Sequence, residues 1–136
     1  MFESKLTVLD NEFVSIWCYP TERILHHEFY KYVFGDTLRA FLLTGVEAFE
    51  AHGCTKWLSD DRKFGAILPE DKEWGDKVWR PRILAAEWKY WAMVLPSTVT
   101  GKMNIQKMVD EYRALGVSAQ FFSTPEEAMT WLLEQG

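Results

Sequence analysis

Apolar and polar residues alternate with two different periods along the chain, and the change of period predicts the order of strands and helices. Three segments rich in β-forming residues come first: LTVLD, FVSIWCY and ERILHHEFYKYV. Asp10 and Asn11 tolerate turn geometry and separate the first two segments. Neither side of the third segment is purely apolar, which indicates either a strand covered on both sides or a strand at the edge of a sheet.

From residue 35 onward, apolar residues recur at helical spacing. The first helix has Asp36 as its predicted N-cap and ends at Gly53, which suits a left-handed residue. Pro69 opens a second helix, within which Pro81 is expected to cause a kink or a break because proline removes a backbone hydrogen bond. Two further helices are predicted, NIQKMVDEYRALG and TPEEAMTWLLEQ, the second with Thr124 as its cap.

Short apolar segments separate these helices and complete the predicted fold. They are CTKWLSDD, KYWAMVLP and VSAQFFS, of which the second is almost wholly apolar, as an interior parallel strand should be. The order β-β-β-α-β-α-β-α-β-α predicts an α/β fold: an open mixed sheet with antiparallel N-terminal strands, then parallel βα units, and about four helices. With 136 residues, no linker and no internal repeat, one domain spanning residues 1–136 is expected.

Composition and charge narrow the function classes. Nearly half of the residues are apolar and about a quarter are charged, which is typical of a soluble globular protein. No apolar run is long enough for a membrane span, and the start MFESKLTVLD lacks the pattern of a signal peptide. The net charge of −5, without a basic stripe, argues against nucleic-acid binding. Cys18 and Cys54 are predicted to be buried free thiols in a reducing, cytoplasmic setting.

Polar residues follow three of the predicted parallel strands. Ser59, Asp60, Asp61 and Arg62 end one strand, Ser97 and Thr98 follow the next, and Ser123 and Thr124 follow the last. Because the carboxyl ends of parallel strands share one edge of a sheet, where open α/β sheets bind ligands, these residues are expected to converge there. The pattern predicts a ligand-binding or partner-binding rim formed by Ser59, Asp60, Asp61, Arg62, Ser97 and Thr98.

An ordinary turn explains the same acidic pair, and both interpretations stay open. Aspartate is common where a strand exits into a turn, so Asp60 or Asp61 can cap loop backbone groups while Arg62 pairs locally. Adjacent residues of an extended segment point in opposite directions, which argues against an acid–base pair. No catalytic residue is therefore predicted, and the chain is not expected to be an enzyme.

The histidines and the known motifs indicate neither a metal nor a cofactor. His26 and His27 are consecutive strand residues that project to opposite faces, so they are not expected to bind one ion together. His52 falls in the last turn of the first helix, where a cation is favoured by the helix dipole. The chain contains no nucleophile elbow, dinucleotide-binding glycine pattern or P-loop. Structural roles are predicted for all three histidines.

The segment WGDKVWRPR combines residue types that dominate binding hot spots. Trp74 and Trp79 are five positions apart, about 140° around a helix, so both cannot face the core squarely. With Arg80 and Arg82 they are predicted to form an interaction surface for a protein partner or for self-association into a dimer. A tryptophan packed beneath an arginine stem is the alternative explanation.

Four stretches of the chain carry a resemblance to a known family. They are KWLSDDRKFG, ILPEDKEW…WRPR, YWAMVLP and FFSTPEEAMTWL. These stretches and the order of elements, from Phe13 to Leu133, are similar to bacterial STAS/SpoIIAA-like proteins of unassigned role. The resemblance implies an open sheet with helices, the fold of anti-sigma factor antagonists and CRAL-TRIO lipid carriers. In the antagonists a serine at a helix start accepts a phosphate, whereas the corresponding helix here begins LPEDKEW, so this switch is not expected to carry over.

Two functions from different classes fit these observations. The first is a non-enzymatic regulatory or protein-interaction module of the STAS type, favoured by the Trp/Arg-rich helix face. The second is a carrier or sensor of a small apolar or anionic molecule, favoured by the seven tryptophans and other aromatic residues. An enclosed pocket would favour the second, and a solidly packed interior would exclude it. An enzyme would require Asp60, Asp61, Arg62 and Ser97 to converge.

Overall fold

The computed structural model describes residues 5–136, which form a six-stranded sheet with helices on both faces. Strands β1 to β6 follow one another across the sheet in chain order: Leu6–Asp10, Val14–Tyr19, Ile24–Phe29, Lys56–Asp60, Tyr90–Val94 and Ser118–Phe122. β1, β2 and β3 pair antiparallel, and β3 to β6 pair parallel. The predicted α/β fold with an open mixed sheet is confirmed. The first four residues of MFESKLTVLD lie outside the described range.

Helices occupy both faces of this sheet. Their bounds are α1 Gly35–Ala51, α2 Pro69–Trp74, α3 Arg80–Ala85, α4 Val99–Ala114 and α5 Pro125–Leu133, and a π-helical turn at Gly75–Trp79 joins α2 to α3. α1 to α4 pack on one face against the larger core, and α5 covers β4, β5 and β6 on the other. No helix in residues 5–136 combines the length and apolar character needed to cross a membrane.

Strand β4 lies between the two helical layers and is buried along its whole length. Trp57 belongs to the core beneath α1–α4, whereas Leu58 belongs to the core beneath α5. Successive strand residues point to opposite faces, so a strand with helices on both sides needs apolar residues at consecutive positions. This explains why the segment CTKWLSDD does not alternate.

At Pro81 the helix does not break, and a change of helix type precedes the proline. Residues 75–79 form a π-helical turn, and Gly75, Trp79 and Arg80 keep right-handed helical dihedral angles, so the helix runs on from α2 into α3. Proline cannot donate to the carbonyl one turn earlier and its ring clashes there. A π-helical turn widens the backbone ahead of the proline and relieves that clash.

The helix ends agree with the sequence in two cases and differ in two. Thr124 caps α5 by accepting a hydrogen bond from Glu127 N, and Gly53 has the left-handed φ of +60°. The N-cap of α1 is Phe34 without a side-chain bond, so the prediction of Asp36 was wrong. α4 begins at Val99, earlier than expected, because the Thr98 hydroxyl accepts from a backbone N–H of its first turn.

Cys18 and Cys54 are buried and free, as predicted, with their Sγ atoms 3.7 Å apart. The hydrogen bond shared with Cys18, together with burial, raises the pKa of the Cys54 thiol. A thiol held protonated is a poor nucleophile, which is consistent with a packing role.

The helical glycines Gly45 and Gly75 are expected to respond in opposite ways to alanine. A Cβ at Gly45 would lie 2.7 Å from the Trp57 ring, whereas a Cβ at Gly75 would meet no atom within 4 Å. We expect Gly45→Ala to lower the free energy of unfolding by about 1–3 kcal/mol through overpacking. Gly75→Ala should raise it by about 0.5–1 kcal/mol, because alanine loses less backbone entropy. Urea unfolding measures both, and a Gly45→Ala variant as stable as the wild-type protein would contradict the packing around Gly45.

Candidate functional site

The exits of strands β4 and β5 lie side by side at one edge of the sheet. The two strands are parallel, and the loop after β4 bonds to the β5 side: Asp61 N donates to Val94 O at 3.0 Å and Ser97 N donates to Arg62 O at 3.3 Å. Ser97 and Thr98 are exposed, and the Thr98 hydroxyl is used as the cap of α4. The predicted rim therefore brings residues of two strand exits together.

The side chains of the two aspartates of this rim point to opposite faces of the sheet. Asp60 receives two hydrogen bonds from the Arg62 guanidinium, at 2.8 and 2.7 Å, which is the local pairing considered as an alternative in the sequence. Asp61 instead bonds His27 in the interior. Ser59 is also buried beneath α1–α4. Ser59 and Asp61 thus face the core beneath α1–α4, whereas Asp60 pairs with Arg62 on the other face of the sheet.

An aromatic cavity of about 90 Å³ lies between the sheet and the layer of α1–α4. Its wall includes the rings of Phe29, Phe41, Trp57, Trp79, Trp91 and Tyr112. These rings come from strands, helices and the π-helical turn, so the cavity exists only where the elements meet. Protein interiors are close-packed and contain few voids larger than a water molecule, which makes a cavity of this size a distinct feature of the fold.

Three polar residues, His27, Ser59 and Asp61, form the sheet side of the cavity and are called the polar trio here. The parallel register of β3 and β4 places His27 opposite Ser59. His27 Nε2 lies 2.7 Å from Asp61 Oδ1, and Trp57 Nε1 donates to His27 Nδ1 at 2.8 Å. Trp91 Nε1 donates to Ser59 Oγ at 2.8 Å. The side chains of His27 and Asp61 are each only 6% exposed.

Four partly exposed charged residues, called the charged mouth here, form a cluster of ion pairs beside the cavity: Lys72, Asp76, Arg80 and Glu111, of which Lys72 and Asp76 line the cavity. Lys72 Nζ lies 2.8 Å from both Asp76 and Glu111, and the Arg80 guanidinium also bonds both acids. The two positive and two negative charges balance. Beneath them, burial raises the pKa of the Tyr112 hydroxyl, so this wall residue stays a neutral phenol.

The structure buries Trp79, the central residue of the predicted interaction surface. Its side chain packs in the core, the residue is 7% exposed, and Nε1 donates to Leu42 O at 2.8 Å. Trp74 is half-buried, with the Arg39 guanidinium 5.6 Å from the centre of its ring. The two tryptophans thus do not both face the core squarely, which agrees with their spacing in the sequence, and Trp74 lies beneath an arginine.

The arginines of the same segment are engaged within the chain. Arg80 belongs to the charged mouth, and Arg82 makes two hydrogen bonds to Glu50 of α1, at 3.0 and 2.7 Å. Both guanidinium groups therefore connect this helix to neighbouring elements. As a group, Trp74, Trp79, Arg80 and Arg82 do not present one continuous surface.

The polar trio is not arranged as a metal site. His27 uses Nδ1 to accept from Trp57 and Nε2 to bond Asp61, so neither ring nitrogen is free for an ion. Within residues 5–136, no group of three or more His, Cys, Asp or Glu side chains could hold a metal ion.

His26 lies beside His27 in the chain but on the opposite face of β3, against the ring of Trp17. Burial, with a smaller contribution from His27, lowers the pKa of His26 to about 3, and Lys5 acts in the same direction whereas Asp60 opposes it. In the described part of the chain, the buried Nε2 of His26 has no hydrogen-bond partner. This histidine is therefore neutral at physiological pH.

The low pKa of His26 predicts acid-dependent stability. The unfolded chain takes up a proton near pH 6.5, whereas folded His26 takes it up only near pH 3, so the free energy of unfolding falls as the pH drops through this window. We expect His26→Gln to be less acid-sensitive than the wild-type protein between pH 6.5 and pH 4 in urea unfolding. His52→Gln, at an exposed histidine, is the control. Parallel pH profiles for wild type and His26→Gln would contradict the prediction.

Sequence reasoning did not assign His27 or Trp57 to the site. The sequence predicts a structural role for His27 because its strand neighbour His26 points the other way, which excludes a shared ion but not a bond to another element. The partner Asp61 is 34 residues away along the chain, and only the pairing of β3 with β4 brings the two together. Two features of the sequence could have suggested this contact: a histidine lies within one predicted strand, and another predicted strand ends in two aspartates.

Comparisons with known proteins name no relative of this chain. No family model matches it, and no curated protein or solved structure matches it either. The similarity to STAS/SpoIIAA-like proteins therefore stays a prediction from the residues that carry it, and the geometry of the aromatic cavity becomes the main source of information about function.

Proposed function

We propose that this protein is a non-enzymatic carrier or sensor that binds a small molecule in the aromatic cavity. The observation that carries the proposal is an interior cavity with aromatic walls and a hydrogen-bonded polar trio on one side. Ligand sites are typically concave, mostly apolar, and equipped with a few well-placed polar groups. The aromatic cavity has each of these properties.

The energetic cost of an empty cavity supports this proposal. A void in a protein core costs about 24 cal/mol per Å³, so about 90 Å³ corresponds to about 2 kcal/mol of lost stability. Larger side chains at wall positions such as Leu42 or Met108 would remove that cost. Most domains are stable by only about 5–15 kcal/mol, so this cost is a substantial fraction of the total stability. Binding of a ligand in the cavity would explain why the wall residues are not larger.

The hydrogen bonds of the polar trio favour binding over catalysis. The Ser59 hydroxyl accepts from Trp91, and His27 is held between Trp57 and Asp61. Serine needs a base within hydrogen-bond reach to become a nucleophile, and both His27 nitrogens already bond other groups. The trio is therefore suited to orienting a ligand.

A protein-interaction role is the second candidate, and a different feature now favours it. Tyr32 and Phe34 are exposed large side chains in the loop after β3, with ring centroids 5.5 Å apart. Adjacent exposed aromatic residues are typical of contact surfaces. If the chain self-associates through them, Phe34→Ser should shift light-scattering mass toward the monomer. If light scattering gives the wild-type protein the mass of a monomer, the chain does not self-associate and this prediction is wrong.

Filling the cavity tests the proposed function. In native mass spectrometry, we expect the purified protein to retain a small ligand, or to acquire one from a mixture of small metabolites added at millimolar concentration. Leu42→Phe, which places a larger side chain in the wall, should abolish this binding without lowering the melting temperature. Leu133→Phe makes the same chemical change on exposed α5 and is the matched control. Binding that survives in Leu42→Phe, or no binding by the wild type, would contradict the proposal.

A further inference from the structure

The hydrogen bond between Trp57 and His27 determines the charge of the histidine. An indole nitrogen can only donate, so His27 Nδ1 must accept and carries no proton. The single ring proton of His27 then lies on Nε2 and is donated to Asp61 Oδ1. Protonating Nδ1 would place two N–H groups against each other at 2.8 Å. His27 is therefore neutral in this arrangement and does not compensate the charge of an Asp61 carboxylate.

Asp61 differs in this respect from the other acidic residues of the cavity wall. Asp71 lies 3.2 Å from the Arg39 guanidinium, and Asp76 lies 2.8 Å from Lys72. Across residues 5–136, no lysine or arginine nitrogen lies within 4.0 Å of the Asp61 carboxylate. A buried charge without a counter-charge is unfavourable, and a positive group bound in the cavity would offset that cost.

The indole groups of the wall offer no free hydrogen-bond donor. The indole N–H groups of Trp57, Trp79 and Trp91 already donate to protein acceptors. On the sheet side an anionic ligand would find only the Ser59 hydroxyl as a donor, and it would meet the Asp61 carboxylate, whose Oδ2 accepts no hydrogen bond from the described residues. Lys72, the cation of the wall, is already paired with Asp76 and Glu111. A ligand that itself donates, and that carries a positive charge, complements this surface.

Aromatic walls favour the same kind of ligand. The faces of Trp, Tyr and Phe rings carry negative potential, and a cation held against them gains up to about 2 kcal/mol when it is desolvated. Rings line this cavity on several sides, and Asp61 belongs to the same wall. The combination of aromatic rings with one buried carboxylate is the arrangement that recognises alkylammonium groups.

The size of the cavity limits the ligand. An engineered cavity of about 150 Å³ holds benzene, so about 90 Å³ accommodates a group of about four non-hydrogen atoms. Trimethylammonium and isopropylammonium have this size. A longer molecule would have to continue past the charged mouth.

From these observations we infer that the aromatic cavity binds a small alkylammonium group, free or at the end of a larger molecule, with Asp61 as its counter-charge. This inference rests on the proposed small-molecule function and specifies its ligand class. It differs from the apolar or anionic ligand expected from the sequence, because the Asp61 carboxylate faces the interior.

Four probes of matched size test the inference: trimethylammonium, isopropylammonium, propan-2-ol and acetate. Binding is followed through the indole N–H signals of Trp57 and Trp91 in NMR titrations of the whole protein. We expect both cations to bind about 10- to 100-fold more tightly than propan-2-ol, and acetate not to bind. Equal affinity for propan-2-ol and isopropylammonium, or preference for acetate, would overturn the cation inference but leave small-molecule binding intact. If none of the four probes moves these signals, both proposals fail.

Two aspartate variants locate the counter-charge. Asp61→Asn keeps an oxygen that can accept from His27 but removes the negative charge, so it should lower cation affinity to that of propan-2-ol. Asp60→Asn makes the same change at the adjacent residue, which bonds Arg62 on the opposite face, and should leave cation affinity unchanged. Loss of affinity in both variants, or in neither, would overturn the role of Asp61. If Asp61→Asn does not fold, the selectivity of the wild type among the four probes decides the inference.

Discussion

Replacing Trp79 with alanine is expected to lower the free energy of unfolding by about 3–5 kcal/mol. The Trp79 ring lies edge-on to Trp57, Trp88 and Tyr112, with centroid distances of 5.7, 5.8 and 6.3 Å. Its removal would enlarge the aromatic cavity and take away the indole donor of Leu42 O. Urea unfolding monitored by circular dichroism measures the change. An unchanged m-value would show that the substitution changes stability and not the surface area exposed on unfolding.

Trp74→Ala is the matched control for this prediction. Trp74 lies five residues earlier in the same helical rod but is half-buried, and its ring contacts the Arg39 guanidinium at the surface. We expect a loss of about 1 kcal/mol, typical of a partly exposed position. If Trp79→Ala instead keeps nearly wild-type stability but loses self-association or partner binding, the result would favour the interaction surface predicted from the sequence.

Replacing His27 with alanine is expected to cost about 3–5 kcal/mol, for a different reason. The substitution leaves the Asp61 carboxylate without its donor and the Trp57 indole without its acceptor, both in a buried place. It also removes a ring packed against Phe29 and Phe41 at centroid distances of 4.7 and 4.9 Å. Thermal and urea unfolding at pH 7 measure the loss.

A double-mutant cycle separates the hydrogen bond from the packing. We expect the double variant His27→Ala/Asp61→Ala to lose about 1–3 kcal/mol less free energy of unfolding than the sum of the losses of the two single variants. The reason is that the second substitution removes the unpaired carboxylate. His26→Ala is the control. The buried Nε2 of His26 has no partner among the described residues, so removing this side chain leaves no charged group without its hydrogen bond. Additive costs at His27 and Asp61 would contradict the coupling between them.

The order of strands and helices could be predicted because local periodicity and end signals determine it. Thr124, Pro125 and Glu127 mark the start of α5 unambiguously, since each has a backbone reason to stand at a helix N-terminus. The almost unbroken apolar run of β5 indicated an interior parallel strand, which the structure confirms. The opposite directions of Asp60 and Asp61 followed from the same alternation, and the structure confirms them.

The tertiary structure alone decided which residues form the cavity and what charge it carries. His27 meets Asp61 because β3 lies next to β4 in parallel register, and Trp79 at the end of the π-helical turn is buried against Trp57 of the sheet. Periodicity is a property of neighbours along the chain, so it specifies which way a side chain points but not what lies opposite it. A buried carboxylate among aromatic rings arises from contacts over tens of residues, and for that reason the ligand class could be inferred only from the assembled fold.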